Sequence, residues 1–295
     1  MTMDGSPQWS LDSISFGPDK PDSRGVHWIL TQEEGFWAGS ATGAELHPHL
    51  SRHGAIRTLG WRAERTITLE GRAFAPDVAT LRRAANQLTG LLADPHRSVP
   101  LTCYSEIGPV TCDVFLDDQI LTKPGVTATP SFEWSLQLVA PDPRRYALDW
   151  CHACTPLSSA GRHGLRFGDG LDFEAKLSFG AGASSGTLHL ANDGTAPTEP
   201  LLTLHGPLVR PVLSTSQGRQ IAYADTLPAG QYLVIDTGAP TAVLNGRTNA
   251  RYRLFPADFA AFTVPAGGEL SIRLDHDGPR EAAGHLEVAW RHAWF

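Results

Sequence analysis

The amino-acid sequence predicts a mainly β protein in two domains, the first carrying a single helix and the second almost none. Three observations lead there. Apolar and polar residues alternate in short runs along most of the chain, the period of strands with one buried face. The 29 glycines and 22 prolines supply the turns that many short strands require. One stretch only, near residues 77–92, places apolar residues at helical spacing.

The first 60 residues are rich in Gly, Pro and aromatics, with Trp9, Phe16, Trp28, Phe36 and Trp37. GVHWILTQ reads as a strand and EEGFWAGSATG as the turn-rich segment after it. RTITLEGRAFA (Arg65 to Ala75) alternates as a strand, and Asp77 then caps the helix DVATLRRAANQLTGLL. Val78, Leu81, Ala85, Leu88, Leu91 and Leu92 form its apolar stripe, while Arg82, Arg83, Asn86 and Gln87 fall on the solvated face. SVPLTCYSEIGPVTCDVFLDDQIL reads as two strands around a Gly-Pro turn. In SFEWSLQLVAPDPRRYA, Phe132, Trp134, Leu136 and Leu138 alternate until Pro-Asp-Pro ends the run. Strand, strand, helix, hairpin, strand is an α+β unit whose helix covers an antiparallel sheet or barrel. This domain takes residues 1–145.

Residues 146–170 turn small and polar and read as a linker. From 171 to 295, LDFEAKLSF, SGTLHLAND, PLLTLHGPL, VLSTS, RQIAYA, GQYLVIDT, TAVLNG, YRLF, FTVPAGG, LSIRLDH and HLEVAWRHAWF are short strands. Asn-Asp-Gly, Asn-Gly and Gly-Gly turns punctuate them, and strands so spaced specify a two-sheet sandwich.

A net charge of −7 argues against a nucleic-acid binder, which carries a basic face. No run of 18 apolar residues predicts a membrane span, and MTMDGSPQWSLDS lacks the basic start and apolar stretch of a secretory signal. Folding in the cytoplasm of the producing cell is the expectation.

No catalytic set survives comparison with its structural alternative. Cys151-His-Ala-Cys154 has C-x-x-C spacing, but Thr155-Pro156-Leu157 starts no helix to activate a thiol. Cys103 and Cys112 flank a turn and could face each other across a hairpin; the four read as inert thiols rather than a zinc site. His47, His49 and His53 cluster, yet Pro48 breaks any helix that could align them. Asp225, Asp236, Asp258, Asp275 and Asp277 sit at strand ends and turns, where acids are ordinary. FGDG (Phe167 to Gly170) reads as a turn, without companion kinase motifs. The chain therefore reads as a non-enzyme with no catalytic, cofactor or metal residues. Tyr223, Tyr232, Tyr252, Trp290 and Trp294 are the aromatics that a galectin-like sandwich could stack against a sugar.

Taken together, these motifs resemble the distal tail protein (Dit) family of siphovirus-type bacteriophages, the minor tail proteins of actinobacteriophages among them. The likeness rests on RTITLEGRAFA with its helix and hairpin, on WSLQLVAPDPRRY, on NDGTAPTEPLLTLHGP from Asn192 to Pro207, on LPAGQYLVIDT and on WRHAWF. It implies an N-terminal β-barrel domain with one helix and a C-terminal galectin-like β-sandwich. It further implies a structural virion protein at the tail tip, a homo-hexameric ring joining the tail tube to the hub or baseplate, through which DNA passes unbound. Implied partners are the tail tube protein, the tail-tip hub or tail-associated lysin, the tape measure protein, and side fibres or receptor-binding proteins. The family carries no catalytic residues to transfer. A net-neutral or acidic lumen is expected, since it would not hold phosphates. The rival reading is a carbohydrate-binding accessory module touching host cell-wall glycans.

Overall fold

The computed structural model describes residues 7–17, 20–125, 129–157, 186–279 and 282–295. The strand expected at LDFEAKLSF, the FGDG turn and most of the 146–170 linker lie outside the described residues. The chain divides into two compact units, residues 1–149 with 294–295, and residues 150–293.

The first unit holds β1 (Gln8–Leu11), β2 (Ile14–Phe16), β3 (His27–Glu34), β4 (Thr42–Gly43), β5 (Leu46–Pro48), β6 (Ala55–Arg57), β7 (Trp61–Arg62) and β8 (Arg65–Phe74). Helix α1 (Val78–Thr89) follows, then β9 (Val99–Ser105), β10 (Gly108–Leu116), β11 (Leu121–Pro124), β12 (Ser131–Ala140) and β13 (Arg145–Ala147). Seven strands pair in the order β2-β1-β9-β10-β12-β8-β3. The ends nearly meet: the Gly17 amide, just after β2, donates to the Trp28 carbonyl in β3 at 2.8 Å. The result is a nearly closed β-barrel.

Alternation explains its register. β8 and β12 pair over ten residues, from Ser131↔Phe74 to Ala140↔Arg65, placing Ile67, Leu69, Leu136 and Leu138 on one buried face. Gly71 faces Trp134 in that register, and a side chain at Gly71 would strike the indole and the Ile29 carbonyl. The early aromatics fill the same core: Phe16 packs on Trp134 at 4.7 Å and Trp28 on Phe132 at 5.9 Å.

Helix α1 starts where Asp77 accepts from the Thr80 amide at 2.8 Å. Its buried face differs from the expected stripe. Thr80, Ala84 and Leu88 are buried, Leu81 and Ala85 flank them, and Val78 is exposed. In the first turn Val78 points away from the barrel, and Thr80 is drawn inward while its hydroxyl donates to Asp77.

The second unit contains β14 (Cys151–Pro156), β15 (Thr187–Asn192), β16 (Leu201–His205), β17 (Leu208–Val209), β18 (Val212–Thr215), β19 (Gln220–Tyr223) and β20 (Thr226–Leu227). Then come β21 (Tyr232–Asp236), β22 (Thr241–Leu244), β23 (Thr248–Asn249), β24 (Leu254–Ala257), β25 (Gly268–Asp275) and β26 (His285–Trp290). They form a six-stranded sheet, β14-β26-β16-β21-β22-β23, and a five-stranded sheet, β15-β25-β18-β19-β24. Leu202, Leu204, Leu233, Ile235 and Val288 of the first share one apolar core with Leu190, Leu213, Ile272 and Leu274 of the second. Asn245 and Gly246 both take positive φ, 50° and 68°, closing the β22–β23 hairpin as Asn-Gly predicts. Two expected strands differ: Tyr252 and Arg253 of YRLF lie in a short 3-10 helix, Arg251–Arg253, ahead of β24, and FTVPAGG follows a second one, Phe259–Phe262, with a bridge between Thr198 and Val264 before Gly268 opens β25.

Candidate assembly surface

Between β3 and β8 the chain leaves the barrel and returns, and two arginines hold the roots of that excursion. Phe36 inserts fully into the core, edge-on to Trp9 at 4.7 Å. Arg65, the first residue of β8, faces inward and is 1% exposed. Its Nε and Nη2 donate to the Pro143 carbonyl at 2.9 and 2.8 Å. Its Nη1 donates to the carbonyls of Gly35 at 2.7 Å, Phe36 at 3.0 Å and Ala38. Desolvation pulls the Arg65 pKa below its ordinary value, and desolvation together with the nearby Arg65 charge does the same to Arg145. Arg145 lies over the rings of Trp37 (4.9 Å) and Phe36 (5.6 Å) and donates to the Phe295 carbonyl at 2.8 Å.

The paired arginines of PDPRR thus part company. Arg145 is buried, whereas Arg144 turns back on Asp142, with Nε to Oδ1 at 2.9 Å and Nη2 to Oδ2 at 3.0 Å. Tyr146 donates to the same carboxylate at 2.7 Å.

From this base a two-stranded ribbon projects. Thr42↔Arg62 and Gly43↔Trp61 pair at its root, and Leu46↔Arg57, His47↔Ile56 and Pro48↔Ala55 pair further out. The amides of Ala63, Thr58 and His49 donate hydrogen bonds to the carbonyls of Ala41, Glu45 and Gly54 and tie the two sides. Every residue of β5, β6 and β7 is exposed. Leu46, Leu50, Ile56, Leu59 (92% exposed) and Trp61 (62%) stand in solvent. Residues 41–63 hold three arginines, Arg52, Arg57 and Arg62, and one acid, Glu45, in a chain whose net charge is −7. An isolated two-stranded hairpin is marginal in water, and its unpaired edges are templates for another chain.

On the outer face of the barrel, a groove of about 390 Å³ is lined by Thr31, Glu70, Arg72, Leu121, Lys123 and Glu133. Arg72 and Glu133 bridge β8 and β12 across it at 2.6 Å.

The residues singled out in the sequence are dispersed. Cys103 pairs with Val110 and Cys112 with Leu101, so the two thiols are not opposite each other. Both are buried, and burial pushes each up to about 12. Cys151 and Cys154 lie three apart on one strand, β14, which sends their side chains to opposite faces. His47 reaches Glu45 at 3.5 Å and is exposed, as is His53, while His49 is half-buried. Among the described residues no three metal-binding side chains converge. The five acids are committed singly: Asp225 to Arg253 (2.6 Å), Asp258 to Arg219 (3.8 Å), Asp275 to Arg273 (3.8 Å) and Asp277 to Arg210 (2.8 Å). Asp236 accepts from the Gly238 and Ala239 amides of its own turn. Tyr223 and Trp290 are buried, Tyr232 is half-buried beside His205, and Trp294 packs on the first unit's core. Tyr252 alone of the five aromatics is largely exposed.

Sequence reasoning missed the ribbon: it read EEGFWAGSATG (Glu33 to Gly43) as turn-rich and assigned no strand to the residues after it. Its signal was present: large apolar residues without either period, interleaved with arginines and histidines.

The first unit thus joins a nearly closed barrel with one helix to an exposed ribbon of apolar and basic residues, and the second unit is β-rich. No model of a known family matches the chain, and no curated protein matches it in sequence. Solved structures do match in fold. The Dit protein of phage SPP1, described as a paradigm of the hub adsorption apparatus in phages infecting Gram-positive bacteria, aligns with a TM-score of 0.68 at 10% identity. That alignment covers 98% of this chain and 100% of the other. Chains of the phage P2 baseplate in its activated conformation, with Ca and with Sr, align with TM-scores of 0.53 and 0.51 at 11% and 12% identity. Each alignment covers 97% of this chain and 98% of the other. The chain has the fold of these tail and baseplate proteins.

Proposed function

We propose that this chain is a structural protein of a bacteriophage tail tip, a distal tail protein of the siphovirus type. In this reading residues 1–145 build a homo-hexameric ring between the tail tube and the hub or baseplate, and DNA passes through it unbound. Residues 146–170 connect the ring domain to a galectin-like sandwich, residues 171–295, which carries side fibres or receptor-binding proteins. The tail tube protein, the hub or tail-associated lysin and the tape measure protein are the remaining partners. The protein resides in the virion and performs no catalysis.

One observation carries the reading. The likeness to the SPP1 Dit protein runs through both units and leaves almost none of either chain unmatched. A shared barrel alone would say little, because folds host many functions. Preservation of both units in one order is a more specific correspondence. The exposed ribbon supports the ring, since its open edges and apolar side chains suit a neighbouring copy.

Negative-stain imaging of purified protein, and of virions labelled at this chain, tests the proposal. The expected result is a six-fold ring in vitro and label at the tail tip. Label at the capsid or along the tail shaft, or a purified protein that remains monomeric with hub protein present, would sink it.

A further inference from the structure

The outer face of the six-stranded sheet gathers histidines. On β26, His285 and Glu287 alternate with the buried Leu286, Val288 and Trp290, so both point away from the core. His205 of β16 stands directly opposite His285. On the other side of β26, Cys154 of β14 stands opposite Glu287 and His152 opposite Ala289. Opposite residues on antiparallel strands share a face, with their side chains within contact distance. Three histidines, a carboxylate and a thiol therefore occupy one face of three adjacent strands, β14, β26 and β16.

The His205 and His285 rings are stacked, with centroids 4.4 Å apart and planes 7° from parallel. Glu287 reaches imidazoles on both sides: its Oε2 is 3.4 Å from His205 Nε2, and its Oε1 is 3.9 Å from His152 Nδ1. His205 Nε2 is shielded from solvent and has no hydrogen-bond partner, even with the carboxylate this near. A buried polar nitrogen left unsatisfied costs free energy, and a cation held between it and the carboxylate would remove that cost. The spacing suits one. Nitrogen at about 2.0–2.1 Å and oxygen at about 2.0–2.2 Å from a tetrahedral zinc stand about 3.4 Å from each other.

We propose that His205, Glu287 and His285 bind a first-row transition-metal dication, zinc foremost. The donors select that class: imidazole suits zinc, copper and nickel, whereas calcium and magnesium take oxygen ligands. As the side chains stand, the stacked rings send their in-plane lone pairs side by side, and among the described residues no three donors converge on one point. The site therefore completes on binding. His205 and Glu287 keep their spacing, and the half-buried His285 ring turns about its Cβ–Cγ bond to supply the third donor. Glu287 Oε1 stays with His152, an outer contact that orients the ligating carboxylate. Solvent takes the fourth position. A metal held this way clamps β16 to β26 inside the sheet of the second unit. The site depends on none of the residues or comparisons behind the tail-tip reading.

Titration of tag-free, full-length, EDTA-stripped and dialysed protein with zinc, in competition with a chromophoric chelator, tests the proposal. One zinc per chain should bind with micromolar affinity or better. His205→Ala, His285→Ala and Glu287→Gln should each weaken binding by at least about tenfold, the loss that even an outer-shell partner brings. His189→Ala, on the other sheet where that imidazole meets Ser271 Oγ at 2.9 Å, should leave binding unchanged. Zinc should raise the melting temperature of the parent and not that of His205→Ala. The variants lie on the sheet surface, so their metal-free melting temperatures should stay near the parent's. Cobalt(II) in place of zinc should show the intense visible bands of four-coordination and no thiolate charge-transfer band. A thiolate band that vanishes in Cys154→Ser would overturn the ligand set. Zinc affinity no better than millimolar, binding that the three variants leave intact, or equal stabilisation by calcium would each overturn the site.

Discussion

Replacing Arg65 by methionine should unfasten the base of the ribbon. Methionine keeps the aliphatic bulk and removes a guanidinium that donates to four carbonyls, those of Gly35, Phe36, Ala38 and Pro143. Those carbonyls converge where Arg65 is 1% exposed, so water replaces their donor poorly. A buried polar group left unpaired costs about 1–3 kcal/mol, and breaking a buried charged network about 3–5 kcal/mol. Part of the loss is offset because the buried charge, which desolvation disfavours, is also removed. About 3 kcal/mol is the resulting expectation. At about 2–4 °C per kcal/mol for a domain of this size, the first thermal transition should fall by roughly 6–12 °C. Hydrogen exchange should show faster exchange at residues 35–38 and 64–66 before the barrel strands respond. Lysine at this position should be nearly as damaging, because one ammonium cannot span four carbonyls. A loss under about 1 kcal/mol with unchanged exchange would refute the claim that this arginine organises the ribbon's root.

Four further outcomes follow from the same structure. Burial alone would raise the Asp142 pKa, but hydrogen bonds from the Arg144 side chain, Tyr146 and the Arg144 amide outweigh it and hold the group below 3.8. Its stabilisation is therefore full above the unfolded pKa and is lost as pH falls through the lower folded value, so Asp142→Asn should match the parent in acid and be less stable at pH 7; a gap that widens on acidification contradicts this. With both pushed up to about 12, Cys103 and Cys112 should resist iodoacetamide at pH 8 while exposed Cys154 reacts, and equal labelling of all four in the folded protein would be inconsistent with their burial. Gly71→Ala places a methyl 2.1 Å from the Ile29 carbonyl and 2.4 Å from the Trp134 ring, and urea unfolding should register a loss of about 1–3 kcal/mol. Replacing residues 44–59 by a short Gly-Ser turn should leave the melting temperature of the barrel nearly unchanged yet abolish ring formation in light scattering; rings of unchanged mass would exclude the ribbon as the joining element.

Much of the fold was legible because it rests on local rules. Alternation at Ile67, Leu69, Leu136 and Leu138 named the two central barrel strands, and Asp77 marked the helix start. Asn245-Gly246 announced its hairpin for the same reason: the turn needs two positive φ values and those residues accept them. The helix face was only partly readable, since spacing cannot distinguish an inward Thr80 from an inward Val78. YRLF has the alternation of a strand, but Tyr252 and Arg253 coil into a 3-10 turn that directs the ring outward.

The candidate surface was scarcely legible, and PDPRR shows why. Two prolines around an aspartate stop β12 because they remove backbone donors, a local effect that needs no neighbours. Nothing local could say that Arg145 would be buried against Trp37 and Phe295, or that Arg65 would take its acceptors from residues 35–38 and 143. Those partners lie tens of residues away and meet only when the barrel folds. Exposure has the same origin: Leu46, Leu59 and Trp61 look like core residues by type, and the ribbon's projection alone leaves them in water. Period and turn chemistry act over a few residues, so the choice of which segments become strands is written along the chain itself. Which apolar and charged side chains are spent on the core, and which remain for a partner, depends on contacts between distant segments and was settled only by packing.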